Sequence, residues 1–449
     1  GYNMTEFKDV PKSETATDTI LAYSVSIPVG VTQSYTIEFK YANDESVDQS
    51  KDMGKKLSGT IFITEGTEDI YAGYEEGTLG YQIMGDNPTR NTRDTYDAVF
   101  TNNTTGTLFT ATEKNVHNTT DITVYYYAGN TTKNWVKFGT FASDGPVRGY
   151  YSATISIYKE YTTLEECNSA SSYNTNCSYA WRKGDPMYWR IIRTNADGSI
   201  RMLYSGTSHD TTEGYLSTGT SKFNTSYNSP KYAGYMYGND DSSLLNARTN
   251  TNNSTIKTAI DKWYASNMTS YTKYLSTTAV YCNDRTEKTS GTYNTGSTDF
   301  YYAPYARANT NYTPTYDCTE ASDAFSVDNT SAKLTYPIAL MTSDEIMRAG
   351  GKGGKSLTSP YAWYYLNSAN DSITSGNWWW LLSPNNWSGG SAFVFSVGAI
   401  DFPGYLDWSR VDFAGGVRPA VSLKSCTLYN AGDGSASNPY EIVETSSGC

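Results

Sequence analysis

WWWLLSPNNWSGGSAFVFSVGAIDFPGYLDWSRVDFAGGVRPAVSL, residues Trp378 to Leu423, is the stretch whose reading decides the fold. Its two ends read as framework, an apolar block from Trp378 to Leu382 and a buried-strand block from Gly416 to Leu423. Between them, residues 385–415 mix Gly, Ser, Asp, Phe, Tyr, Trp and Arg with no helical period and only brief alternation. That pattern predicts short strands joined by exposed turns. Large rings beside small and charged residues suit a binding surface, because Tyr and Trp offer wide, rigid contact area while Ser, Gly and Asp adapt their hydrogen bonds. The alternative is a tight β-domain core with an ordinary turn-rich surface.

Outward from this stretch, the clearest hairpin is Tyr188 to Arg193 turning through Asn195-Ala196-Asp197-Gly198 into Ile200 to Tyr204, since Asp-Gly supplies the positive φ angles such turns require. A second hairpin is expected from Val124–Tyr127 and Trp135–Phe138 around Gly129 to Thr132. Thr255 to Met268 predicts an amphipathic helix, with Ile256, Ala259, Ile260 and Trp263 on one face and Ser254 or Asn253 as cap. Met341 to Arg348 predicts a shorter one, with Thr342 or Ser343 as cap and Asp344 and Glu345 in its first turn. A short helix beginning near Tyr81 ends at Pro88. Near the start, Thr19–Ile27, Tyr35–Tyr41 and Leu57–Thr64 are strand candidates. Three strands do not close a sandwich, so this module is either a fragment or one that completes its sheet against another copy.

The domain reading is a β-rich N-terminal module with its linker over residues 1–72, a main domain over 73–425 with an insertion at about 143–187, and a C-terminal tail over 426–449. The six cysteines fall into sequence-local pairs: Cys167 with Cys177, Cys282 with Cys318, and Cys426 with Cys449. Fifteen connectivities are open; the local one needs no crossing loops and implies an oxidising compartment. No window approaches eighteen consecutive apolar residues, and the chain carries no charged-then-apolar leader. The expectation is a mature or trimmed extracellular form.

The search for chemistry finds little. The net charge of −12 comes with no basic run, which argues against a nucleic-acid partner. His117 and His209 read as surface residues, no two cysteines lie within four residues, and no Gly-x-Ser-x-Gly occurs, so neither a metal site nor a serine triad is expected. The cluster Gly350 to Gly354 lacks P-loop spacing and reads as a helix cap followed by a loop. Asn195 to Gly198 and Asn239 to Asp241 read as turns, with calcium binding left open. No cofactor is expected.

Five blocks, YWRIIRTNADGSIRMLY (188–204), YPIALMTSD (336–344), AWYYL (362–366), WWWLLSP (378–384) and GVRPAVSL (416–423), resemble bacterial surface proteins with a C-type-lectin-like domain of the formylglycine-generating-enzyme type. In particular they resemble the variable proteins of diversity-generating retroelements, over roughly residues 77–445. The resemblance implies an α+β, C-type-lectin-like fold carrying a small β-rich N-terminal module. In that family adenines near the 3′ end of the gene are rewritten, chiefly in Asn codons, and the products exclude Glu, Gln, Lys, Met and Trp. Between Ser388 and Gly415 there is no Glu, Gln, Lys or Met, and Trp408 alone departs from the rule.

By this resemblance Trp387, Ala392, Val394, Val397, Leu406, Val411 and Gly416 to Pro419 form a framework. Ser388, Gly389, Gly390, Ser391, Phe393, Ser396, Gly398, Ala399, Phe402, Pro403, Tyr405, Asp407, Trp408, Arg410, Asp412, Phe413 and Ala414 form a displayed ligand-binding face, with Phe402, Tyr405, Trp408, Arg410 and Phe413 as its anchors. The enzyme relatives oxidise with a cysteine pair, which the corresponding region here lacks. The expectation is therefore a non-catalytic receptor or adhesin for a protein or glycan. Alternatives are a filament or pilus subunit that self-associates through the N-terminal module, and a secreted carbohydrate-active enzyme whose carboxylates meet in space.

Overall fold

The computed structural model describes Ser46, Asp48, Ser50, Met53, Gly54 and residues 70–449, except 151–157, 171–176, 210–213, 215, 217–219, 289–291, 366–377 and 399–401. The three strand candidates before residue 65 lie outside the described residues. The chain forms two compact units, Gly1–Gly73 and Tyr74–Cys449, and every element named below belongs to the second. It is mostly β with a few helices, of the α+β class.

Helix α1 (Leu79–Asp86) starts where the Thr78 side chain accepts from the Tyr81 N–H, and it ends before Pro88, whose ring disfavours helical backbone at the residue before it. Strands β1 (Thr107–Asn115) and β2 (Asn118–Tyr126) pair antiparallel with Phe109 opposite Tyr126. Strands β3 (Trp135–Thr140), β4 (Pro186–Thr194) and β5 (Ile200–Tyr204) follow. β4 is the trunk of a ten-stranded sheet: β5 pairs along one edge, while the other edge carries β3 at Tyr188–Arg190 and β2 at Arg193.

The expected pairing of Val124–Tyr127 with Trp135–Phe138 is therefore corrected, because these segments lie end to end on one edge of β4. The connection between them stays bonded to that edge: Ile191 N–H donates to Asn134 O at 2.7 Å, Asn134 Nδ2 donates to Ile191 O at 2.9 Å, and Tyr127 N–H donates to Ile192 O at 3.1 Å. With its backbone groups satisfied there, the chain has no reason to fold back on itself.

A separate three-stranded sheet is formed by Val147–Tyr150, Tyr158–Tyr161 and Ser178–Tyr179, beside the disulfide Cys167–Cys177. The other two disulfides are Cys282–Cys318 and Cys426–Cys449. All three pairs are the sequence-local ones, consistent with an oxidising compartment. Among the described residues no helix is long and apolar enough to cross a membrane.

Helix α2 (Thr255–Asn267) is capped by Ser254 and buries Ile256, Ile260, Trp263 and Tyr264. Strand β6 (Phe300–Tyr301) leads into a helical turn, Ala303–Ala306, then a π-turn, Arg307–Asn311, and a left-handed Tyr312 at φ 54°. After β7 (Ile338–Leu340), helix α3 (Ser343–Ala349) begins with a reciprocal cap: Glu345 N–H donates to Thr342 Oγ1, and Thr342 N–H donates to Glu345 Oε2. Strands β8 (Trp379–Ser388), β9 (Ser391–Val397) and β10 (Leu406–Arg410) form a second sheet in the order β6-β8-β9-β10. β11 (Pro419–Leu423) returns to the large sheet between β7 and β5. The C-terminal segment enters it too, since Tyr440–Glu441 runs parallel to Val136–Lys137 of β3.

Two buried cation arrangements fix these parts. Arg193 on β4 lies 2.6 Å from Glu113 on β1 and 3.0 Å from Glu345 on α3, and Arg201 on β5 lies 2.7 Å from Glu345. Burial works to raise the Glu345 carboxyl, but Arg201 and Arg193 outweigh it and hold the group below its ordinary value. In the Gly-Val-Arg-Pro block, the fully buried Arg418 donates to Tyr204 O, Gly214 O, Tyr364 O and Ser205 Oγ at 2.8–3.2 Å and lies over the Trp379 ring. Burial lowers its guanidinium to about 9.

Candidate ligand-binding face

The face is built on the three consecutive strands β8, β9 and β10. Gly389 and Gly390 at φ 55° and 73° make the two-residue turn between β8 and β9, a conformation that a residue with a Cβ rarely adopts. Directly opposite residues of neighbouring strands share a face. Tyr301, Asn386, Phe393 and Arg410 are therefore one row across the sheet, and Phe395 with Trp408 is the next pair on that side.

The framework positions Trp387, Ala392, Val394, Val397, Leu406, Val411 and Gly416 to Pro419 are all buried, and Val394, Val397, Leu406 and Val411 have no exposed surface. Among the positions expected on the face, Phe402 is 59% exposed, Phe413 50% and Trp408 37%, with Gly389 and Ala414 also exposed. Ser388, Gly390, Ser391, Phe393, Pro403, Tyr405, Asp407, Arg410 and Asp412 are partly exposed. Ala399 lies outside the described residues.

Two positions are corrections. Ser396 is buried because β9 is an inner strand here, with Ser396 held between Trp380 and Asp407. Gly398 is buried at the base of the β9–β10 connection, where its N–H donates to Tyr405 O at 2.7 Å and an added Cβ would come within 2.5 Å of Phe402 O. Neither can be displayed.

Contacts set the chemistry of the face. Arg410 is paired bidentately with Asp412 at 2.5 and 3.0 Å, and its guanidinium lies over the rings of Tyr227 and Phe413. The centre is thus broad and aromatic with its own charge cancelled. Burial raises the Asp407 carboxyl above its ordinary value; Asp407 pairs with Ser396 and so points to the opposite side from Trp408. Ser388 Oγ and Gly389 N–H both donate to Asp299, at 2.8 and 3.0 Å, which pins the β8–β9 turn.

Four side chains at the face come from outside residues 385–415. Tyr227 is 38% exposed, and its carbonyl accepts from Ala392 N–H. Tyr301, Tyr305 and Lys288 are partly exposed and extend the aromatic surface past Trp408. The spacing of Tyr301 and Tyr305 across Pro304 is a local signal for a helical turn, but no sequence pattern links these residues to β10. His117 is exposed, as expected, with its Nε2 3.1 Å from Ser326 Oγ, whereas His209 is partly buried.

Among the described residues no group of three or more His, Cys, Asp or Glu is placed to hold a metal ion. The buried carboxylates Glu113, Asp323, Asp344 and Glu345 are each engaged by arginine. No protein family, no curated protein and no solved structure matches the chain.

Proposed function

We propose that this chain is a non-catalytic ligand-binding protein of the bacterial cell surface. In this reading it displays an exchangeable face on a C-type-lectin-like scaffold of the formylglycine-generating-enzyme type, as in the variable proteins of diversity-generating retroelements. The observation that carries the reading is the division of labour within residues 385–415. Val394, Val397, Leu406 and Val411 are wholly buried while Phe402, Trp408 and Phe413 stand exposed a few residues away. Such a division lets side chains change without disturbing what holds the sheet. The three disulfides support an extracellular setting.

The test is exchangeability. Randomising Phe402, Tyr405, Trp408, Arg410 and Phe413 together leaves most library members protease-resistant, whereas randomising Val394, Val397, Leu406 and Val411 unfolds most of them. Equal losses in the two libraries overturn the reading. In the genome, it requires a near-copy of the codons for residues 385–415 that differs only at adenines and lies beside a reverse transcriptase gene.

A further inference from the structure

We infer that the ligand face has a second, constant half that carries positive charge and selects an acidic protein segment. The inference rests on the ligand-binding reading above and deepens it.

The constant half adjoins the exchangeable Trp408. Its ring meets Tyr305 edge-on at 6.4 Å, and Tyr305 lies against Tyr301 at 4.2 Å. The Lys288 ammonium sits 5.4 Å from the Tyr305 ring centroid and 5.7 Å from that of Tyr301. Lys288 N–H donates to Tyr301 O at 2.9 Å, so the backbone fixes the lysine beside the rings. A second lysine approaches β10 from another segment. The Lys352 ammonium lies 4.8 Å from the ring of Tyr312, and the next residue, Gly353, bridges to Leu406, two positions before Trp408. Gly353 also packs against the turn Arg307–Asn311, where a Cβ would come within 2.4 Å of Asn309 Oδ1.

Charge makes the two lysines informative. Lys114, Lys133, Lys137 and Lys257 each have a carboxylate within 3.4 Å, whereas neither Lys288 nor Lys352 has one among the described residues. The chain as a whole carries −12, Arg410 is neutralised by Asp412, and Asp407 points to the other side of the sheet. The Lys288 ammonium thus stands beside the aromatic centre with no carboxylate partner among the described residues, and Lys352, next to the residue that bridges to β10, is a second such lysine. Apolar anchors ringed by charge are the anatomy of a protein interface, and rim charges choose the partner and speed its arrival.

A protein segment suits the spacing better than a sugar. Phe402 and Phe413 bracket β10, whose five residues span about 13 Å, wider than one sugar ring, and Phe offers no polar handle for hydroxyl groups.

Panning phage-displayed random dodecapeptides against the full chain tests this. Peptides recovered on the native protein are enriched in Asp and Glu, and their binding weakens with added salt. On the Lys288→Gln/Lys352→Gln variant, peptides are still recovered but without the acidic enrichment, and the original peptides bind about three- to tenfold more weakly. Equal acidic content on both proteins, or binding of uronate-containing glycans on an array without any peptide recovery, overturns the inference. Trp408→Ala separates the two readings: undiminished recovery on that variant removes the ligand face itself.

Discussion

The Trp408 ring meets the Tyr305 ring edge-on, with centroids 6.4 Å apart and planes at 71°. One comes from the edge strand of the small sheet and the other from the helical turn after β6, so the exposed tryptophan is oriented by a residue over a hundred positions away. Trp408→Ala and Phe413→Ala are expected to weaken binding of selected peptides about tenfold or more, because truncated aromatics dominate interface energetics. Unfolding free energy, measured in urea, should change by no more than about 1 kcal/mol. A larger loss of stability would make these rings part of the framework.

Ser396 and Gly398 should behave in the opposite way. Ser396→Tyr places a ring in a filled interior, and Gly398→Ala puts a Cβ against Phe402 O. Each is expected to cost about 1–3 kcal/mol. Ser391→Tyr, at a partly exposed strand end, should stay within about 0.5 kcal/mol. Urea titrations of the three variants side by side check this.

Acid should act through Glu345. Its folded value lies below the ordinary 4.5, so its contribution is complete above that pH and drains away as pH falls through the depressed folded value. Glu345→Gln strands Arg193 and Arg201 in the interior, at an expected cost of about 3–5 kcal/mol at neutral pH. The same substitution should flatten the loss of stability between neutral and acidic pH. A variant that kept the native acid profile would remove Glu345 from the list of groups that matter.

Arg418→Lys should be costly despite conserving charge. The guanidinium serves three carbonyls and a hydroxyl at once, a fork that a single ammonium cannot reproduce. The acceptors left without a donor imply a loss of about 2 kcal/mol or more, read as a lower denaturation midpoint.

Local signals carried much of this architecture. The Asp197-Gly198 hairpin and the two helices depend on neighbours within a few residues and stand as expected, with Ser254 and Thr342 taking the caps that had two candidates each. Where a long-range partner decides, the local reading failed. Trp135–Thr140 took an edge of β4 instead of closing a hairpin, and Ser396 was buried by strands on both sides. Lys288 and Tyr305 carry no local signal for the same reason: only the folded chain brings them to Trp408. Within 385–415, the inward places that the resemblance implies for Val394, Val397, Leu406 and Val411 agree with their chemistry, since aliphatic side chains have no reason to remain wet.

The partner of β5 on its outer edge is β11, and a ribosome polymerises Pro419 more than two hundred residues after Tyr204. The strand that flanks β3 comes later still. Nascent polypeptide therefore cannot complete its main sheet while it emerges, and the early hairpin waits with an open side. The last strands to be made therefore decide whether the first hairpins are covered.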